Sequence, residues 1–395
     1  MNSSPHPATG FDAGTAGRQS PAMDRAEEGT FTDFDAACLT VRLGAIAANF
    51  KTAQRLAGPA AVAAVIKADA YGTGLVPAAK ALVNAGCDSF FVARLEEGLA
   101  LRPLAPAARI FVLDGAQPDI VPALVTHRLT PVLNSLAEVA SWSAVARETH
   151  ARLDAAVHID TGMNRLGLPA AELSTLAAER NRRLEGLRVI LWLSHLACSD
   201  VPDDRMNRVQ LERFKTALAM LPQAPASLSA SGGIMLGKEY LFDMVRPGLA
   251  LYGGNPQPTV ANPFAPVVRL TSRILQVHRA GKGEPVGYGA SFHTKRPSLL
   301  AVAASGYADG IFRSQSNRGA VAVEGHRAPI VGRVSMDLTT FDVTDIPGEI
   351  VPGMDAEFIG DTISLEDAAA AADTISYEIL TSLSHRAKRR YEDAP

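Results

Sequence analysis

Short apolar runs alternate with amphipathic segments between residues 61 and 251. The first run, 61–66, has no polar alternation, which is typical of a parallel strand buried on both faces. The predicted strands are 61–66, 88–93, 109–113, 130–133, 153–159, 187–194, 226–231 and 243–246, with helical patterns between them such as 95–102, 169–180 and 203–220. Eight strands separated by helices favour a (β/α)8 barrel, although an open doubly wound sheet shows the same alternation with fewer strands.

The pattern changes after Gly253. A Pro-rich link at 255–266 is followed by short strand patterns at 269–279, 299–304, 320–323, 328–334, 339–343 and 356–360, separated by Gly and Pro turns. Residues 373–391 show an amphipathic pattern that predicts a closing helix, whose solvated end is the basic run 385–390. This part of the chain is therefore predicted to be mostly β.

The fold class predicted from these patterns is α/β, with an N-terminal (β/α)8 TIM-type barrel followed by a C-terminal mostly-β domain. Residues 1–35 are interpreted as a disordered tail because they are rich in small and polar residues. Residues 36–43 contain an alternating strand that is expected to join the β domain. The barrel is assigned to 44–255 and the β domain to 256–395.

Composition narrows the possible functions. The 395 residues are 47% hydrophobic and 20% charged, which is enough to bury a large core, and the net charge is -3. No basic stripe favours nucleic acid, and no apolar run reaches the ~18 residues of a membrane span. Cys38, Cys87 and Cys198 have neither a disulfide nor a zinc spacing, so we expect reduced thiols, a cytoplasmic protein and no metal. The N-terminal segment lacks the apolar core of a secretory signal.

Lys67 directly follows the first barrel strand. Parallel α/β folds place their chemistry at the carboxyl ends of the strands. A lysine there has a desolvated stem and a lowered pKa, which suits a Schiff-base nucleophile. The alternative is a surface lysine that closes a strand. Position alone does not decide between the two.

Other polar residues follow later barrel strands. Arg165 comes after the fifth strand, His195 after the sixth, Ser231-Gly-Gly after the seventh and Arg246-Pro-Gly-Leu after the eighth. The last two segments offer free backbone N–H groups at the usual phosphate position of a barrel. A lysine and a phosphate cradle at one barrel end fit pyridoxal phosphate. Taken singly, His195 could be a core histidine, the arginines could form rim ion pairs, and the Ser/Gly segment could be an ordinary turn.

The β domain carries a second candidate set. Tyr288 lies between two glycines, Tyr307 lies in Ser305-Gly-Tyr-Ala-Asp-Gly310, and Met336 follows a predicted strand. A tyrosine between flexible glycines suggests a ring presented to a ligand, whereas the alternative is a turn aromatic that caps the domain core. Asp309 and Arg313 have the spacing of an ion pair.

Taken together, these residues lie in stretches that resemble the alanine racemase family of pyridoxal-phosphate enzymes. The matching stretches are VIKADAYGTG at 65–74, FVARLEEGLALR at 91–102, HIDTGMNRLG at 158–167, SHLACSD at 194–200, VRPGLALYG at 245–253, VGYGAS at 286–291, GYADG at 306–310 and GRVSMD at 332–337. The resemblance covers about residues 38–391 in order and without large gaps.

This resemblance implies a two-base racemisation of a small amino acid. Lys67 would hold the cofactor as an internal aldimine and act on one face of the substrate Cα. Tyr288 would act on the opposite face from the partner subunit of a head-to-tail homodimer. Met336 would bind the substrate carboxylate across the dimer, and Tyr307 would line the entrance.

The resemblance also implies the cofactor-binding residues. Arg246 would bond the pyridine nitrogen with support from His195, and Arg165 would contact the cofactor's phenolic oxygen and the substrate carboxylate. The phosphate would be held by Tyr71, Ser231, Gly248, Leu249 and Tyr377. Because an arginine does not readily release a proton, the ring nitrogen would stay largely unprotonated and side reactions would be disfavoured.

Two positions depart from the family pattern. Many members carry a lysine, often carbamylated, seven residues before the arginine that matches Arg165, and this chain has His158 there. Members also often read Ala-Asn-Ser-Ala where this chain reads Ser-Ala-Ser-Gly at 229–232. A histidine cannot form that carbamate, so Arg165 must be oriented by neutral His158 or by an anion.

The resemblance implies an L-alanine/D-alanine racemase that supplies D-alanine for peptidoglycan. Three alternatives remain at this point: a racemase of another small amino acid such as serine, a decarboxylase on the same scaffold, and a pyridoxal-phosphate-binding protein without turnover. Tyr288 and Arg246 argue against the decarboxylase, and the β domain argues against the binding protein. A metal-dependent barrel hydrolase is disfavoured because no His-x-His pair ends a strand.

Overall fold

The computed structural model describes residues 35–393. The tail predicted at 1–35 lies outside the described residues except for its last position. Strand β1 (Ala37–Arg42) leads directly into helix α1 (Leu43–Ala57). None of the helices in the described part of the chain combines the length and the apolar composition that a bilayer span requires.

The barrel follows α1. Its strands are β2 (Ala61–Val62), β3 (Ala64–Val65), β4 (Ser89–Val92), β5 (Arg109–Val112), β6 (Thr130–Leu133), β7 (Leu153–His158), β8 (Leu187–Leu193), β9 (Ala226–Ser227) and β10 (Met244–Val245). Its helices are α2 (Lys67–Tyr71), α3 (Leu75–Asn84), α4 (Leu95–Leu101), α5 (Val121–Thr126), α6 (Leu136–Glu148), α7 (Ala170–Ala178), α8 (Arg180–Arg183) and α9 (Arg205–Met220).

The strands close into a ring. Strands β3 to β9 form a parallel sheet in chain order, and β10 pairs in parallel with β2, which is separated from β3 by one residue. The Arg246 N–H donates to the Ser229 carbonyl at 2.9 Å, which joins the strand that contains β10 to the end of β9. Counting β2 and β3 as one strand, eight parallel strands surround one axis, which confirms the predicted barrel.

The barrel interior explains why its strands read as continuous apolar runs. All four residues of β4 and all four of β6 are buried. Inside, the rings of Phe91 and Phe111 stack with their centroids 4.4 Å apart. Both faces of these strands are covered, so the outward positions also need apolar side chains. The helices therefore surround a packed core, and the strand ends remain available for a site.

The β domain contains β11 (Val268–Ala280), β12 (Pro285–Val286), β13 (Phe292–His293), β14 (Ser298–Ala303), β15 (Ala320–Val323), β16 (His326–Pro329), β17 (Thr339–Asp342), β18 (Asp355–Ile359) and β19 (Lys388–Glu392), with helices α10 (Leu365–Ala372) and α11 (Ser376–Thr381). Its main sheet has the order β16-β15-β18-β11-β1-β19, and β14 and β17 extend it from β11. Strand β1 thus pairs antiparallel with β11 and parallel with β19. Leu39 of β1 lies opposite Leu270 on one side and opposite Arg389 on the other.

The helix predicted over 373–391 is wrong. The chain forms α11 over Ser376–Thr381 and then the strand β19, which pairs with β1. Pairing satisfies the backbone groups along the open edge of β1, and this tertiary gain outweighs the local helical pattern. The preceding helix α10 was not predicted, although Ser364 and Asp367 form a capping box at its start.

Two predicted strands also have different limits. The strand predicted at 226–231 ends at Ser227, because the serines that follow turn away to bond the neighbouring segments. The strand predicted at 328–334 is replaced by β16, which begins at His326 and ends at Pro329. In both cases the real strand stops where side-chain hydrogen bonds or a proline replace the ladder.

Candidate active site

A cavity of about 1130 Å³ opens at the carboxyl ends of the barrel strands. Nine predicted residues line it, namely Lys67, Tyr71, Arg165, His195, Ser231, Arg246, Gly248, Leu249 and Tyr377. They come from barrel strand ends that are far apart in sequence and, in the case of Tyr377, from α11. The fold therefore gathers every predicted cofactor residue at one site.

Lys67 begins α2 directly after the first barrel strand. Burial lowers the pKa of its amine, and the positive charge of Arg165 lowers it further. The carboxylates of Glu97 and Asp114 act in the opposite direction. A lysine whose pKa is lowered in this way has a larger share of the nucleophilic neutral amine near neutral pH.

The four residues after Lys67, which complete the segment labelled α2, form a left-handed turn and not a right-handed helix. Ala68, Asp69, Ala70 and Tyr71 have φ values of 53°, 52°, 53° and 56°. Non-glycine residues adopt this conformation at a cost of roughly 1–2 kcal/mol each. Inside the turn, the Asp69 carboxylate accepts a hydrogen bond from the Leu75 N–H at 2.6 Å. The sequence does not indicate this conformation, because no glycine precedes Gly72 in the turn to suggest positive φ.

Arg246 lies buried at the floor of the cavity. Its guanidinium donates to the Ser227 hydroxyl and, at 2.7 Å, to the Ser194 carbonyl. His195 Nδ1 lies 3.4 Å from a guanidinium nitrogen. Burial lowers the pKa of Arg246 to about 10, so it remains a cation near neutral pH. Burial and the charge of Arg246 lower the pKa of His195 to about 3, so this histidine is neutral and can accept from the arginine.

His158 is also neutral, and its tautomer follows from its partner. Its Nδ1 lies 2.9 Å from the Asn134 Oδ1. The Asn134 amide group already donates to the carbonyls of Leu113 and Val132, so its oxygen accepts from His158. The proton is therefore on Nδ1, and Nε2 keeps its lone pair. Asn134 was not predicted, because nothing in the sequence links it to His158 across 24 positions.

We expect the two histidines to make stability depend on pH. Burial lowers the pKa of His158 to about 4 and that of His195 to about 3, below the ordinary value near 6.5. Between pH 6.5 and 4 the unfolded chain thus binds more protons than the folded one, and the free energy of unfolding falls as the pH falls. Urea unfolding measures this decrease. By pH 4.5 the decrease in the free energy of unfolding should be about 2 kcal/mol smaller for His158→Gln than for the wild type.

His127 provides the control for that experiment, since it is exposed at the surface. Both variants, His127→Gln and His158→Gln, make the same substitution, so the difference between them isolates the effect of the position at the cavity wall. A His158→Gln protein with the full wild-type pH dependence would contradict the neutral, buried state of His158.

The last two strand ends form a cradle rich in backbone N–H groups. The Ser231 hydroxyl accepts from the Gly248 N–H at 2.9 Å and from the Ala250 N–H at 3.2 Å. A Cβ on Gly248 would collide with the Tyr71 hydroxyl, so only glycine fits. Tyr71 stacks on Tyr252 with the ring centroids 4.7 Å apart. The Ser231 hydroxyl accepts from these two N–H groups and keeps its own proton, which it can donate to a phosphate group in the same cavity as the lysine.

Three predicted residues do not line this cavity within the described chain. The β domain exposes Tyr288, Met336 and Tyr307, with 71%, 54% and 43% of their surface accessible. Tyr288 is presented by a short turn in which Gly287 and Gly289 have φ values of 71° and 68°. All three side chains are therefore accessible on the surface of the β domain.

Tyr307 and Met336 nevertheless lie together. The Tyr307 N–H donates to the Ser335 carbonyl at 2.9 Å, and the Ala308 N–H donates to the Met336 carbonyl at 3.0 Å. Arg386 forms ion pairs with the carboxylates of Asp309 and Asp337 on the two loops. The ion pair that the spacing of Asp309 and Arg313 suggested is therefore replaced by pairing with Arg386, which was predicted to lie on a solvated helix end.

Comparison of this sequence with known proteins agrees with the family resemblance described above. The family described as "Alanine racemase, N-terminal domain" matches residues 41–256, and "Alanine racemase, C-terminal domain" matches residues 267–391. The catabolic alanine racemase of Agrobacterium fabrum is 47% identical over 355 residues, covering 89% of this chain and 91% of that protein. The biosynthetic alanine racemase of the same organism is 45% identical over 365 residues, covering 89% of this chain and 93% of that protein.

Solved structures give a similar result. The chain is similar to the alanine racemase of Bartonella henselae with covalently bound pyridoxal phosphate, with a TM-score of 0.87 and 39% identity over 90% of this chain and 99% of that one. It is also similar to the biosynthetic alanine racemase of Pseudomonas aeruginosa, with a TM-score of 0.86 and 33% identity over 91% of this chain and 100% of that one.

Proposed function

This chain belongs to the alanine racemase family, and from that premise we propose that it interconverts L-alanine and D-alanine with pyridoxal 5'-phosphate as its cofactor. The protein is an amino-acid racemase, an isomerase. The observation that carries this proposal is the convergence of a half-buried lysine of lowered pKa, a buried arginine and a phosphate-type cradle in one cavity.

The product suggests the protein's place in metabolism. D-alanine made by this reaction supplies peptidoglycan synthesis, so the enzyme contributes to cell-wall biogenesis. Cys87 and Cys198 are free thiols, which supports a reducing compartment, and we assign the enzyme to the cytoplasm.

The residues present fit the cofactor. Lys67 would attach it covalently, Arg246 would donate to the pyridine nitrogen, and His195 would support Arg246. Tyr71, Ser231, Gly248, Leu249 and Tyr377 would hold the phosphate, and Arg165 would contact the phenolic oxygen. When bound, pyridoxal phosphate supplies an electron sink that makes the substrate's Cα proton removable by a side-chain base.

Racemisation then requires one base on each face of the substrate Cα. Lys67 removes or returns the proton on one face, and Tyr288 of the partner subunit does so on the other. The ordinary pKa values of lysine and tyrosine are roughly 10.4 and 10, so a working base near neutral pH needs a lowered value. Burial and the charge of Arg165 provide this for Lys67.

The substrate is oriented by its carboxylate. Arg165 would bind it from the barrel, and the partner's Met336 would donate its backbone N–H from the opposite side. Arg165 is exposed at the cavity wall and has the reach and charge for this contact. The lone pair on His158 Nε2 is available to accept from a nearby donor, so the neutral histidine takes the acceptor role that a carbamate has in other members.

The active site is shared across a homodimer. Tyr288, Tyr307 and Met336 are exposed on the β domain and do not line the cavity of their own chain. A two-fold arrangement in which each β domain covers the partner's barrel brings these side chains to Lys67 of the partner subunit. Neither nucleic acid nor a membrane is needed for this activity.

Absorption spectroscopy combined with chiral analysis tests the function. Purified protein should show the visible absorption band of the bound cofactor and convert L-alanine to a racemic mixture. A band without racemisation of alanine but with racemisation of serine would change the substrate. A band with no racemisation of either amino acid would favour a binding protein without turnover, and absence of the band would overturn the assignment.

Arg246→Lys should lower kcat by about 10- to 100-fold. A lysine keeps a positive charge, but it cannot donate in a fixed fork to Ser227 and Ser194 while also facing the cavity. Steady-state kinetics measure the effect, with Arg208→Lys on the exposed face of α9 as the control. Equal kcat values for both variants would contradict the role of the guanidinium.

A further inference from the structure

Glu97 connects the segment after Lys67 to the neighbouring strand end. Its Oε1 accepts from the Ala68 N–H at 2.7 Å. Its Oε2 accepts from the Ala93 N–H at 2.7 Å and from the Arg94 N–H at 3.2 Å. One carboxylate at the start of α4 therefore receives three backbone N–H groups from two separate barrel segments.

The bond to Ala68 acts at a particular point of the backbone. The Ala68 N–H belongs to the peptide group that directly follows the Cα of Lys67, and Ala68 is the first residue of the left-handed turn. The far end of the turn is fixed differently, since Arg389 of β19 donates to the Gly72 carbonyl at 3.0 Å. Glu97 thus fixes the end of the turn from which the Lys67 side chain extends.

The carboxylate of Glu97 also acts on the Lys67 amine through its charge. Four charged or titratable groups surround this amine: Arg165 and His195 from the cavity wall, Asp114 after β5, and Glu97 on α4. Arg165 disfavours the protonated amine, whereas Glu97 and Asp114 favour it, and Glu97 does so more strongly. The orientation of the lysine backbone and the protonation of its amine are therefore both linked to one side chain.

We propose that Glu97 is a positioning residue for Lys67, which holds the Lys67–Ala68 peptide in the orientation that directs the amine into the cavity. The proposal rests on the proposed function in one respect, namely that Lys67 acts in the racemisation. A glutamate is required because three N–H groups need two acceptor oxygens. A glutamine offers one oxygen and turns its own N–H groups toward a donor, so it must lose either Ala68 or the cap of α4.

The test compares Glu97→Gln with Glu96→Gln. Glu96 is exposed on the same turn of α4, so its substitution removes the same charge from the same helix. The first readout is the pKa of the Lys67 amine, measured by competitive acetic anhydride labelling and mass spectrometry of the cofactor-free protein across pH. The second readout is kcat and KM of the cofactor-loaded protein for L-alanine.

We expect Glu97→Gln to lower kcat about 10- to 100-fold while KM changes less than about threefold, because the lysine is misplaced but substrate binding is retained. The Lys67 pKa should fall relative to wild type, because an anion that favours the protonated amine has been removed. Glu96→Gln should match the wild type in both readouts.

The two readouts decide the proposal together. An unchanged Lys67 pKa overturns the proposal, since Glu97 then only caps α4, and so does a shifted pKa with unchanged kcat. If the wild type does not racemise alanine, the proposed function fails, and the cofactor-free pKa comparison alone decides the role of Glu97.

Discussion

Lys67→Ala is expected to lower racemase activity by at least about 10³-fold and to abolish covalent attachment of the cofactor. The variant removes the amine that attaches pyridoxal phosphate and the base on one face of the substrate. Lys67 is the only lysine among the described residues that line this cavity, so no neighbouring lysine can replace it. The loss should appear in kcat, since the remaining cradle can still bind the cofactor non-covalently.

The measurement combines chiral analysis with borohydride reduction. Reduction fixes the cofactor on wild-type Lys67, and mass spectrometry should find the added mass on the peptide that contains this residue. Lys80→Ala is a matched control, because Lys80 is an exposed lysine on α3 in the same barrel. Cofactor attached to another lysine, or a Lys67→Ala protein with wild-type activity, would contradict the assignment.

The position of Lys67 could be predicted because the barrel is repetitive. Each apolar run had to be a strand buried on both faces, and parallel strands place their carboxyl ends on one side. Lys67, His195 and Arg246 follow three such runs, so their convergence followed from the fold alone. The resemblance to a family added the role of each residue, which strand position does not give.

The hydrogen bonds that hold these residues could not be predicted in the same way. Glu97 reaches Ala68 across 29 positions, and Asn134 reaches His158 across 24. No local pattern encodes such pairs, because they depend on how neighbouring strand ends align in space. The left-handed turn at 68–71 was missed for a related reason, since its residues carry none of the glycines that usually indicate positive φ.

The C-terminal segment shows how pairing overrides a local pattern. Residues 373–391 have helical spacing, yet the chain leaves α11 and adds β19 beside β1. The same change moves Arg386 from a predicted solvated helix end to an ion pair with the buried carboxylate of Asp309. Strand pairing between the two ends of the described chain is a long-range event that a short window of sequence does not show.

Tyr288→Phe is expected to lower racemisation by about 10²- to 10⁴-fold, because it removes only the hydroxyl that acts on the second face of the substrate. Lys67 remains, so the variant should still exchange the Cα hydrogen of one enantiomer with deuterium from solvent, without inversion. Nuclear magnetic resonance of each enantiomer in deuterated buffer measures this asymmetry. Equal, wild-type exchange of both enantiomers would show that Tyr288 is not the second base.

Mixing the two variants tests whether the site is shared between subunits. In a heterodimer of Lys67→Ala and Tyr288→Phe chains, one site carries both substitutions and the other carries neither, provided that Tyr288 serves the partner's cavity. When equal amounts of the two chains reassort at random, about half of the dimers are heterodimers, and one of the two sites in each is intact. About a quarter of wild-type activity should therefore return. If each cavity used its own Tyr288, every site would keep one substitution and no activity would return. The 71% exposure of Tyr288 and its absence from the lining of its own chain's cavity favour recovery.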